Sequence, residues 1–162
     1  MRYTIYQVII LVGLVFLAFV TEQLEAVGVS DGSGIFLYII GLLAYIAIVV
    51  GCFSLIFYWQ TKKSETFLIH PIWEKMPVLI TIVFFLSAVV QMFLMVFGGG
   101  QELVSEHRGF MYLIIYYFIF LLNIMGVTMV YKTSRRELTK RQIIELGGIW
   151  TVGVLAVIWF II

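Results

Sequence analysis

The chain has 162 residues and a formal net charge of +1, with 63% hydrophobic and only 12% charged residues. This composition excludes a soluble globular domain, because a water-soluble fold of this size could not bury so much apolar side chain. A bilayer core about 30 Å thick requires roughly 20 apolar residues per helix, so five spans would use most of the length and leave no room for a separate soluble domain.

We therefore predict an all-α fold, a polytopic membrane helix bundle with five transmembrane helices in a single membrane domain. The domain covers residues 1–162, with spans at about 3–22, 35–59, 77–97, 110–131 and 146–162. Basic residues are retained on the cytoplasmic side during insertion. Nine of the ten Lys and Arg residues lie before the first span or in the second and fourth connections, which predicts a cytoplasmic N-terminus and an extracytoplasmic C-terminus. These nine are Arg2, Lys62, Lys63, Lys75, Lys132, Arg135, Arg136, Lys140 and Arg141, and Arg108 is the exception.

The first apolar run follows a single Arg and could be taken for a secretory signal peptide. It is longer than the usual core of roughly 7–15 residues, and the flanking TEQLEAVG offers no clear cleavage site between small residues. We expect it to be a retained span.

The second span contains small residues at steps of three or four along the chain. This spacing places them on one helix face, where small side chains allow another helix to approach closely in lipid. We predict a packing seam, either within the bundle or between protomers, and a chance occurrence of small residues is the alternative. The seam consists of Gly41, Ala44, Ala47, Gly51 and Ser54.

Polar residues at membrane depth occur mainly in the third and fourth spans. The third is expected to begin at Pro77 and carries Ser87 and Gln91 one helical turn apart, while the fourth carries Tyr116 and Asn123 two turns apart. Polar groups in hydrocarbon need partners, so we predict one hydrogen-bonded cluster that joins these two helices. The cluster is interpreted as a packing contact, with the lining of a substrate cavity as the alternative.

The fourth connection, TSRRELTKRQ, combines a possible capping box with several basic residues. Ser134 and Glu137 have the S-x-x-E spacing that begins helices, so a short surface helix is expected near Ser134. Its basic side chains would serve mainly as an orientation signal, and binding of anionic lipids at the cytoplasmic face is the further possibility.

Acidic residues gather on the predicted outer side. Carboxylates that converge there could attract a divalent cation or form a negative vestibule, although such residues more often solvate helix ends. The candidate outer acidic cluster is Glu22, Glu25, Glu102, Glu106 and His107.

The chain offers little for catalysis. No predicted span carries a charged residue at its centre, where ionisable groups usually mark ion or proton pathways. His70 and His107 fall on opposite sides of the predicted membrane, so one protomer could not join them in a site. We expect no catalytic residues, no resident cofactor and no metal site.

The leading interpretation is a non-enzymatic integral membrane protein that acts as an oligomeric, accessory or regulatory subunit of a membrane complex. The first alternative is a small channel or carrier with a polar path near Gln91 and Asn123. The second is a lipid-active enzyme at the outer headgroup plane, using Glu106, His107 and Arg108. The expected partners are the lipid bilayer and a second copy or another membrane protein, with no nucleic acid. By composition alone the chain resembles small polytopic bacterial membrane proteins, which implies the bacterial cytoplasmic membrane.

Overall fold

The computed structural model describes the chain over six stretches and is helical almost throughout them. They are residues 2–26, 34–64, 67–68, 70–100, 108–134 and 138–161. The five helices are α1 (Arg2–Ala26), α2 (Gly34–Lys63), α3 (Ile72–Phe97), α4 (Arg108–Thr133) and α5 (Lys140–Ile161). The predicted all-α class is confirmed, and each helix contains an apolar segment of 19 to 26 residues, long enough to cross a bilayer.

The helices extend beyond the apolar runs that predicted them. α2 continues to Lys63, and α3 begins at Ile72 with Pro71 as its N-cap, so Pro77 lies inside the helix rather than at its start. Hydropathy detects only the residues that suit hydrocarbon, whereas backbone hydrogen bonding continues through polar residues that reach the interface. Pro77 is the sixth residue of α3. Because proline has no N–H, the helix lacks the hydrogen bond that this position would otherwise donate to the Trp73 carbonyl.

α5 begins with a capping box different from the predicted one. The Thr139 N–H donates to Oε1 of Gln142 at 2.9 Å, and the Gln142 N–H donates to Oγ1 of Thr139 at 3.3 Å, which is the reciprocal T-x-x-Q arrangement. The Ser134 N–H instead donates to the Val130 carbonyl at 2.9 Å and closes α4. Glu137 lies outside the described residues.

Contacts between the helices show an alternating, up-and-down arrangement. Gln7 near the start of α1 donates to Gln60 near the end of α2 at 3.2 Å, so these two helices are antiparallel. Ser87 of α3 bonds to Tyr117 of α4, whereas Phe84, one turn earlier, contacts the later Phe118. Thr151 of α5 reaches back to the Leu122 carbonyl of α4. The first, third and fifth helices therefore run in one direction, and the second and fourth run in the other.

This arrangement brings the basic residues to one end of the bundle. Phe57, Trp73, Tyr131 and Ile143 pack in one buried cluster, which joins the end of α2, the start of α3, the end of α4 and the start of α5. We call this the basic end because its described side chains include six cations and two carboxylates. They are Lys62, Lys63, Lys75, Lys132, Lys140 and Arg141, with Glu74 and Glu145.

α4 is the central helix of the bundle. It contacts each of the other four helices, whereas the helix contacts of α3 are made with α4. Only 6% of the spanning segment of α3 is buried inside the chain. Most of α3 is thus available to lipid or to another protein.

Candidate interaction surfaces in the helix bundle

A buried amide ties α4 to α2. Asn123 is 0% exposed, and its Nδ2 donates to the Val50 carbonyl at 3.2 Å and to Oγ of Ser54 at 3.3 Å. Its Oδ1 has no partner within the described structure. The Tyr116 hydroxyl also bonds to α2, through the Tyr45 hydroxyl. Asn123 and Tyr116 thus share one face of α4, as their spacing predicts, and that face is turned toward α2.

The predicted polar cluster is consequently divided between two helix interfaces. Ser87 bonds to the Tyr117 hydroxyl at 2.7 Å, and Gln91 lies beside it in an open groove of about 460 Å³ between α3 and α4. Adjacent residues on a helix point about 100° apart, so Tyr117 faces α3 while Tyr116 faces α2. The sequence spacing identified which residues share a face, but it carried no signal for which neighbour that face meets.

A close helix approach lies between α4 and α5 and was not singled out from the sequence. A Cβ added to Gly126 would lie 2.6 Å from the Gly147 carbonyl oxygen, and one added to Gly147 would lie 2.7 Å from Cα of Val127. Thr151 Oγ1 donates to the Gly147 carbonyl at 2.8 Å. The adjacent glycines 147 and 148 were the available signal. The crossing shows that this chain uses small residues to bring helices together.

The small residues predicted as a seam on α2 behave differently. Gly41, Ala44, Ala47 and Gly51 are all exposed, and a Cβ added to either glycine would meet nothing within 4 Å. Ser54, at the end of the series, instead turns inward to Asn123. We call the four exposed positions the small-residue face of α2. No helix of the described chain packs on it.

A groove between α2 and α5 runs from this face toward the basic end. Its volume is about 460 Å³, and its walls include Gly51, Ser54, Leu55, Tyr58, Arg141 and Glu145. Arg141 Nε lies 2.6 Å from Oε1 of Glu145, with the two side chains 70% and 52% exposed. Lys62 Nζ lies 4.8 Å from the centre of the Tyr58 ring. The groove is therefore apolar at one end and charged at the other.

The predicted outer acidic cluster lies outside the described residues. This applies to the side chains of Glu22 and Glu25 and to the whole of Glu102, Glu106 and His107. Across the part of the chain that is described, no group of three or more His, Cys, Asp or Glu residues is placed to hold a metal ion.

Comparison with known protein families, with curated proteins and with solved structures finds no match to this chain. Five helices able to span a membrane indicate an integral membrane protein. Its role is therefore inferred from the surfaces of the molecule itself.

Proposed function

We propose that this chain is a non-enzymatic integral membrane subunit that associates with a second copy of itself through the small-residue face of α2. One observation carries the proposal: Gly41, Ala44, Ala47 and Gly51 are aligned and exposed. A Cβ added to either glycine would meet no atom within 4 Å. In lipid there is no hydrophobic drive between helices, so association depends on close packing of small residues. A partner helix could approach this face as closely as α5 approaches α4 at Gly126 and Gly147.

The channel or carrier alternative has less support. Asn123 is sealed between α4 and α2, whereas Gln91 lies in the groove between α4 and α3. A path past both residues would require a shared cavity, and the groove that contains Gln91 is not lined by Asn123. The lipid-active enzyme alternative involves residues outside the described side chains and stays a prediction.

The proposed orientation places the basic end in the cytoplasm. It is supported by the gathering of six described cations at that end and by the retention of basic residues on the inner side. The N-terminus then lies inside and the C-terminus outside. Placement in a bacterial cytoplasmic membrane stays a prediction from composition.

A reporter that is active only outside the membrane tests this orientation. Fused after Ile162 it should be active, and fused after Lys63 it should be silent, because the direction of the helices alternates. The reverse pattern would contradict the proposed orientation.

Replacing Gly41 by Leu tests the proposed interface. A Cβ at position 41 meets nothing within 4 Å, so the protomer should fold with leucine there while the partner helix is held away. Gly13→Leu is the matched control, since a Cβ at Gly13 on α1 also meets nothing within 4 Å. We expect Gly41→Leu to shift the protein toward monomer by roughly tenfold in dissociation constant, equivalent to about 1.4 kcal/mol. Gly13→Leu should leave association unchanged.

The measurement is subunit counting by native mass spectrometry from lipid nanodiscs or by single-molecule photobleaching in vesicles. Loss of association with both variants would mean that the effect is not specific to the α2 face. A wild-type protein that is monomeric at every protein-to-lipid ratio would contradict the proposed self-association.

A further inference from the structure

The α2–α5 groove combines features that suit one amphiphilic ligand. Gly51 and Leu55 form the apolar wall farther from the basic end. Tyr58, Arg141 and Glu145 border the groove nearer the basic end. The polar border is about one to two helical turns from the apolar wall, because Gly51 and Tyr58 are seven residues apart and each residue rises about 1.5 Å. An acyl chain beside Gly51 would thus have its headgroup at the basic end.

The charge at this border is positive. Lys62 lies against the ring of Tyr58, which lines the groove, so Lys62 and Arg141 together outnumber the one carboxylate there. Glu145 is the only carboxylate among the described residues that line this groove, and its Oε1 accepts a hydrogen bond from Nε of Arg141. A guanidinium carries five N–H donors, so Arg141 can bond to an anion while it keeps its contact with Glu145.

Gly51 and Ser54 leave space in the groove for a lipid acyl chain. Gly51 has no side chain, and the Ser54 side chain is drawn inward as an acceptor for Asn123. Larger residues at these two positions would fill the slot between α2 and α5. The groove thus offers an apolar channel that ends at Tyr58, Arg141 and Glu145, with Lys62 against the Tyr58 ring. The net positive charge of these groups matches a phospholipid with a net negative headgroup. Basic pockets between transmembrane helices on the cytoplasmic side commonly bind such headgroups.

We propose that the α2–α5 groove binds one anionic phospholipid, with its phosphate held by Arg141, Lys62 and Tyr58 and one acyl chain lying along Leu55 and Gly51. The site lies at the edge of the small-residue face but does not depend on self-association. A bound lipid would stabilise the angle between α2 and α5.

The test is titration of the delipidated protein with phosphatidylglycerol and, separately, with phosphatidylcholine, with each bound lipid counted by native mass spectrometry. Wild type should bind one phosphatidylglycerol at least fivefold more tightly than phosphatidylcholine. Arg141→Gln should lower the phosphatidylglycerol affinity by about fivefold, the factor expected for one basic residue near a lipid surface. Glu145→Gln should raise it, because the competing carboxylate is removed.

Two further variants separate this site from general surface attraction. Lys132→Gln removes a cation at the same end of the bundle but outside the groove, and it should change the affinity less than twofold. Leu55→Trp fills the apolar slot without changing charge, and it should weaken binding of both lipids. Equal affinity of wild type for the two lipids would overturn the proposal, as would an equal loss with Lys132→Gln and Arg141→Gln.

The lipid site and the proposed self-association can fail separately. Copies that associate without a preference for phosphatidylglycerol would overturn the lipid site alone. A monomer that retains one phosphatidylglycerol would overturn the self-association alone.

Discussion

Asn123 shows how a single polar residue organises the centre of this bundle. Its Nδ2 donates to a backbone carbonyl and a side chain of α2, while its Oδ1 has no partner among the described residues. Interhelical hydrogen bonds of this kind contribute about 0.6 kcal/mol on average in membranes and up to about 1.7 kcal/mol. The residue therefore positions two helices rather than providing a large share of the stability.

Asn123→Ala should lower the free energy of unfolding by about 1–2 kcal/mol. The change removes both hydrogen bonds to α2 and leaves a small cavity at a site that is 0% exposed. The measurement is the unfolding equilibrium in mixed micelles as the fraction of denaturing detergent rises. Ser87→Ala, which removes the exposed hydrogen bond to Tyr117, should cost about 0.5 kcal/mol or less. An equal loss with the two variants would contradict the structural role given to Asn123.

At the scale of the helices, the sequence predicted how many there are but not which of their faces meet. Five apolar runs are sufficient to identify five helices, because length and hydropathy are the properties that a bilayer selects. The same hydropathy is uninformative about helix faces, since lipid tails and neighbouring side chains are equally apolar. α3 illustrates this, with Val78, Ile82 and Phe85 all more than 60% exposed although nothing in their sequence separates them from buried residues.

Small residues predicted the contacting helix faces better than hydropathy did, but only in part. The α2 series was recognised by its spacing, whereas the structure leaves four of its five members exposed and turns Ser54 inward. The crossing of α4 and α5 at Gly126 and Gly147 had a weaker sequence signal, because the two glycines lie 21 positions apart and their pairing depends on the fold. Spacing within one helix is visible in a sequence, and register between helices is not.

Replacing two glycines of α5 by alanine should change the stability of the protein in opposite directions. A methyl group at Gly147 would lie 2.7 Å from the Val127 backbone, which cannot move without separating α4 from α5, so Gly147→Ala should cost about 1–3 kcal/mol. At Gly153 the methyl group meets nothing within 4 Å. Gly153→Ala should stabilise the protein by up to about 1 kcal/mol through helix propensity. The same mixed-micelle unfolding assay measures both, and a destabilising Gly153→Ala would show that the exposed face of α5 is covered.

As a whole molecule, the bundle combines a closed interior with open outer faces. The buried polar groups of α4 are directed to α2, and the basic residues gather at one end. The outside of the bundle still presents three features that a lipid-facing surface does not require: the small-residue face of α2, the α2–α5 groove with its cations, and a Gln91 groove of about 460 Å³. These features support a protein that acts through contacts in the membrane plane.

Disulfide cross-linking in native membranes tests self-association through α2 most directly. In a Cys52→Ser background, Ala47→Cys places a thiol on the small-residue face, and Val89→Cys places one on α3, where Val89 is 65% exposed. Counted from the basic end, both positions lie about 25 Å along their helices at a rise of about 1.5 Å per residue. Mild oxidation should produce a covalent dimer with Ala47→Cys and little or none with Val89→Cys. No dimer with Ala47→Cys, or equal yields at the two positions, would contradict association through the α2 face.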